Sequence, residues 1–107
     1  MKLPPPIQAY FTADTNEDVP ALTETFAPDA VVRDEGGSHA GRAAIAAWWR
    51  AAKDKYRYVA APLDADAQGD TTRVRARVTG DFPGSPAILT FAFRLTDRAI
   101  AELEIGA

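Results

Sequence analysis

Thr72-Arg73-Val74-Arg75-Ala76-Arg77-Val78 alternates strictly between charged and apolar side chains after its first residue. A period of two marks a strand with one face on a core and the other open. The same period predicts strands at about residues 56–65, 72–81, 87–96 and 99–105. Gln68-Gly69-Asp70, Pro83-Gly84-Ser85-Pro86 and Thr96-Asp97-Arg98 separate them, each short enough to join neighbours as hairpins. The C-terminal half therefore reads as an antiparallel sheet. Val74, Ala76 and Val78 oppose Arg73, Arg75 and Arg77, and Ala101, Leu103 and Ile105 oppose Glu102 and Glu104. One sheet face is thus charged, to be solvated or to meet a second copy of the chain.

Working back toward the N-terminus, the period lengthens. Ile7, Tyr10 and Phe11 fall at i, i+3, i+4 after a proline cluster suited to a first helical turn, and this helix is expected to end near Asp14. Thr15-Asn16-Glu17-Asp18 has the form of a capping box, and Val19, Leu22 and Phe26 give a second helix reaching about Phe26. Ala27-Pro28-Asp29 breaks it, and Ala30-Val31-Val32-Arg33-Asp34 reads as a short strand. After the Glu35-Gly36-Gly37 turn, Ser38-His39-Ala40 forms a brief return strand. Ile45, Trp48, Trp49, Ala52 and Tyr56 then recur on one face of a third helix. Helices gathered ahead of an antiparallel sheet define an α+β domain, read as one unit over 1–107. A sheet curled around its helices leaves an apolar cavity, expected among Ile7, Tyr10, Phe11, Phe26, Trp48, Trp49, Phe91 and Phe93.

Composition narrows the chemistry. Across 107 residues, 47% apolar and 25% charged side chains describe an ordinary globular chain, and a net charge of −3 without a basic cluster argues against a nucleic-acid partner. No stretch is apolar enough for a signal peptide or membrane span, so a cytoplasmic protein is expected. Without cysteine there is no thiolate nucleophile or cysteine metal site. One histidine among scattered carboxylates has no metal-ligand spacing, and no glycine-rich phosphate loop occurs. No metal and no cofactor are expected; the expected partners are a small apolar molecule and a second copy of the chain, paired through the sheet face.

The candidate catalytic residues are few. Asp34, ending an apolar strand before a glycine turn, either accepts turn amides or stands desolvated at a pocket mouth, where burial raises a carboxyl's pKa and suits it to general-base work. His39 lies across that turn, either beside Asp34 as an acid–base partner or on the rim bonded to backbone. Tyr10 either packs in the core or donates its hydroxyl to a ligand oxygen. Trp48 and Trp49 are adjacent and cannot share a direction, and Trp48 is assigned to the cavity.

Ile7-Gln8-Ala9-Tyr10-Phe11, the run from Phe26 to Asp34 and His39-Ala40-Gly41-Arg42-Ala43-Ala44-Ile45 together resemble the SnoaL-like branch of the nuclear transport factor 2 superfamily. The resemblance implies a cone-shaped, cystatin-like roll of three helices on a curved antiparallel sheet. Its members include ketosteroid isomerase, polyketide cyclases and limonene epoxide hydrolase, with many proteins of no assigned reaction. By the resemblance, Tyr10 takes the place of the isomerase's oxyanion tyrosine and Asp34 that of its general base, while Phe91 stands where the isomerase has a second, protonated aspartate. The expected activity is cofactor-independent isomerisation or cyclisation of a small apolar carbonyl compound. Asp34, Tyr10 and His39 would be its catalytic residues, and Phe11, Phe26, Trp48, Trp49, Phe91 and Phe93 would bind the ligand. The alternative is a ligand-binding or dimerisation module without catalysis.

Overall fold

The computed structural model describes residues 2–107. Three helices, α1 (Pro5–Asn16), α2 (Val19–Glu24) and α3 (Arg42–Tyr56), pack on one face of a six-stranded sheet. The strands are β1 (Phe26–Asp34), β2 (Gly37–Ala40), β3 (Val59–Gln68), β4 (Thr71–Thr79), β5 (Ala87–Thr96) and β6 (Ala99–Gly106), in the order β2-β1-β6-β5-β4-β3. Every junction is antiparallel except β1 with β6. The sheet is curved but unclosed, and the architecture is the α+β roll expected. Among the described residues no helix is long and apolar enough to cross a membrane.

Strand parity decides which residues face the helices. Val74, Ala76 and Val78 of β4 are buried, as are Phe91 and Phe93 of β5 and Ala30 and Val32 of β1. Between the sheet and α1, Tyr10 packs edge-on against Phe26 at 5.9 Å and Phe93 at 5.4 Å, and Phe11 against Phe91 at 5.4 Å. Such edge-to-face pairs contribute about 0.5–1.5 kcal/mol each beyond area burial. The opposite sheet face carries the charges: Arg75 pairs with Asp64, and Arg33 and Arg94 both meet Glu102.

Several boundaries differ from the sequence reading, each for a local reason. The second helix is capped by Asp18, whose carboxylate accepts the Ala21 amide at 3.2 Å, whereas Thr15 still belongs to α1. That helix stops at Glu24, and Phe26, expected on it, opens β1 instead. Pro28 lies inside β1 because the β1–β6 register shifts between Phe26 and Val31, where a missing N–H costs no ladder bond. The third helix runs to Tyr56, delaying β3 to Val59. Gly80 allows the chain after β4 to pass beneath that helix end: an added Cβ would lie 2.6 Å from the Tyr56 carbonyl oxygen.

Candidate functional site

Asp34 shares the inward face of β1 with Ala30 and Val32, which lie four and two residues earlier and are fully buried. At the strand end the helical cover thins, and the same parity places the carboxylate in a cavity of about 330 Å³ between α3 and the sheet. Trp48 and Tyr56 line it from α3, Phe91 and Leu89 from β5, Val78 from β4, with Tyr58, Phe82 and Glu35 around them. Small-molecule sites typically span ~300–1,000 Å³, so this cavity suits a small ligand.

Partial burial pushes the Asp34 carboxyl above its ordinary range, and the neighbouring Glu35 adds to the rise; the Trp48 hydrogen bond and the nearby His39 oppose it. The indole Nε1 of Trp48 donates to Asp34 Oδ2 at 3.1 Å. A tryptophan expected to form only apolar wall therefore also orients the carboxylate. His39 sits opposite Val32 in the β1–β2 ladder, on the Asp34 face, with its ring 6.2 Å from that of Trp48. It makes no hydrogen bond to Asp34, so the hairpin brings the two near one another without coupling them directly.

The hairpin turn itself is unusual in composition. Glu35 and Gly36 have φ of 53° and 77°, the left-handed pair of a two-residue turn that ordinarily takes Asn-Gly. A glutamate in that conformation is uncommon. It is held at the cavity rim with Oε1 accepting the Tyr56 hydroxyl at 2.6 Å. Read from sequence as turn only, Glu35 could have been singled out by the Glu-Gly pair in a position that favours Asn-Gly.

The other expected ligand residues lie elsewhere. Phe11, Phe26, Phe93 and Trp49 are buried in the packed interior and do not line the Asp34 cavity, because the aromatic side chains of α1, β1 and β5 fill the space between those elements themselves. Of the six, Trp48 and Phe91 line it. Tyr10 is also in the interior, 6.5 Å from the Phe91 ring, and its hydroxyl has no hydrogen-bond partner among the described residues. Burial, then the Asp14 and Asp34 charges, hold its phenol well above its ordinary pKa, so it keeps its proton.

Asp14 is the residue that sequence reasoning passed over. It is buried at 1% exposure, one turn beyond Tyr10 on the apolar stripe of α1. Its Oδ1 accepts the Trp49 indole N–H and the Tyr58 hydroxyl, each at 2.8 Å, and Lys53 Nζ stands 3.5 Å away. Lys53 also lies 3.8 Å from the centre of the Tyr58 ring and donates to the Tyr58 carbonyl. Chiefly through burial, the Tyr58 phenol is raised far above its ordinary range. A carboxylate on an otherwise apolar stripe was the available signal, since buried acids persist only when paired.

Comparison with known proteins places the fold. The model of the SnoaL-like domain matches residues 7–103, and the chain belongs to that family. A Sinorhizobium meliloti protein, described as a candidate polyketide cyclase, is 54% identical, with a TM-score of 0.94 over 96% of this chain and 94% of that one. A protein of ketosteroid isomerase-like fold from Catenulispora acidiphila, solved in complex with trimethylamine, is 21% identical (TM-score 0.86, covering 99% and 87%). A cystatin-fold protein from Novosphingobium aromaticivorans is 19% identical (TM-score 0.80, covering 100% and 99%). These two likenesses concern the fold alone. The sequence matches no curated protein.

Proposed function

We propose that the chain is a cofactor-independent acid–base enzyme of the isomerase or cyclase type, acting on a small, largely apolar carbonyl compound. The observation that carries this reading is Asp34: half-buried, raised in pKa and held by Trp48 at the edge of an apolar cavity. A carboxylate whose pKa is lifted toward neutrality removes an α-proton more readily than an ordinary one. In this reading Asp34 takes the proton and returns it at another carbon or after ring closure. Tyr10 keeps its proton but is buried away from the cavity wall, so it makes no contact with the carbonyl oxygen; His39, close by, draws the Asp34 carboxyl back down against the effect of burial.

The reaction can be tested before the substrate is known. Small enolisable ketones and aldehydes are incubated with the protein in deuterated water, and exchange of their α-protons is followed by NMR. Exchange with the native chain that is lost in Asp34→Asn is the expected result. Equal rates with the two proteins, or no exchange across the panel, overturn the reading.

The non-catalytic alternative rests on one observation. The Trp48 indole and the Tyr56 and Tyr58 hydroxyls, side-chain donors in the cavity wall, all already donate to carboxylates. With no donor free in the wall, an oxyanion would be poorly served. A ligand that exchanges no proton yet binds Asp34 and Asp34→Asn alike fits the alternative. In both readings the charged sheet face is proposed to pair two copies of the chain, Arg73 and Arg77 of one meeting Glu104 of the other. Sedimentation showing a monomer at micromolar concentration would remove that pairing.

A further inference from the structure

The cavity wall is one-sided in charge. Two carboxylates, Asp34 and Glu35, belong to it, and none of its side chains is cationic. Its aromatic surface comes from Trp48, Tyr56, Tyr58, Phe82 and Phe91. Outside the wall, Lys53 sits 3.8 Å from the Tyr58 ring centre and Lys55 5.0 Å from that of Tyr56, and Lys55 also feels the Glu35 charge. Each carboxylate accepts one side-chain bond from the wall and keeps further lone pairs unused. Aromatic faces beside spare carboxylate acceptors, with the wall's side-chain donors spent, attract organic cations and offer an anion nothing.

Resting on the reading of this cavity as the site of a carbonyl compound, we propose that this compound also bears a tertiary or quaternary ammonium group, and that Glu35 is the residue that reads the charge. The ammonium lodges between the aromatic walls with Glu35 at the rim as counter-ion, which leaves Asp34 free to move a proton. Glu35 suits this role better than Asp34, because it is exposed at the rim whereas Asp34 is half-buried. Its carboxylate is also fixed in place by Tyr56.

The test separates charge from shape. Choline and its uncharged isostere 3,3-dimethylbutan-1-ol are titrated into the full chain and followed by protein NMR shifts of the Trp48 indole. Choline is expected to bind roughly tenfold more tightly than the alcohol, and the preference to vanish in Glu35→Gln and return in part in Glu35→Asp. Equal affinities for the two probes, no binding of choline, or a preference unchanged in Glu35→Gln overturn the proposal. Thermal melting of each variant confirms that it is folded. A failed cation preference leaves proton exchange on neutral carbonyl compounds intact, so the two readings fail separately.

Discussion

Replacing Asp14 by alanine tests the least expected part of the interior. The carboxylate is almost wholly buried and accepts from Trp49 and Tyr58 at 2.8 Å each, with Lys53 at 3.5 Å. Hydrogen bonds to a charged group are worth about 1.5–3 kcal/mol apiece, so two of them contribute ~3–6 kcal/mol. Relief of the buried charge's own desolvation offsets part of that. Lost partners act in the other direction, because the indole N–H is left buried without an acceptor and Lys53 without a counter-ion. Breaking one side of such a buried pair typically costs ~3–5 kcal/mol, and that is the loss expected for Asp14→Ala. A domain of this size has roughly 5–15 kcal/mol in total, so up to half or more of its stability is at stake. Urea denaturation followed by tryptophan fluorescence measures it directly, with Trp49 as reporter. Asp14→Asn, which keeps an acceptor but loses the charge, should fall between the native chain and Asp14→Ala. A loss below about 1 kcal/mol for Asp14→Ala, with near-ultraviolet circular dichroism unchanged, would refute the argument.

Other expectations concern the site. The Asp34 carboxyl is raised above 3.8 in the folded chain, so its ionised form is less favourable there than in the unfolded chain. The native chain is therefore penalised at neutral pH and not below pH 3.8, where both states are protonated. Asp34→Asn should melt above the native chain at pH 7, by a margin that shrinks as pH falls through the folded pKa; a margin that grows on acidification reverses the sign and refutes it. Glu35→Asn should gain up to about 1 kcal/mol in chemical denaturation by relieving a left-handed glutamate, while weakening any cation affinity. Tyr10→Phe removes a buried hydroxyl without a partner and should leave stability unchanged or raised by ~1 kcal/mol. A fall in exchange rate in that same variant would assign Tyr10 a part in the chemistry, and an unchanged rate would take it out.

Local pattern made much of the fold legible. The alternation of residues 72–78 and the helical stripes needed no distant partner to be recognised, because amphipathic period follows from backbone geometry alone. The same parity carried Asp34 inward with Val32. What it could not supply was the division between core and cavity. Whether Phe91 or Phe93 meets empty space, and whether Trp48 donates to Asp34 while Trp49 donates to Asp14, depends on where α3 crosses the sheet. Helix-on-sheet placement comes from the fit of all side chains at once.

Sequence alone determined the class of the molecule: three amphipathic helices, an antiparallel sheet with one charged face, to which the structure adds one parallel junction between β1 and β6, and an acid at a strand end. Only the tertiary structure decided that Tyr10, Phe11, Phe26 and Phe93 fill their own space, that Asp14 is tied to Trp49 and Tyr58 across 35 and 44 residues, and that Glu35 overlooks the cavity beside Asp34. Periodicity is a property of neighbours along the chain. Hydrogen bonds and cavities between distant segments exist only once the chain has closed on itself.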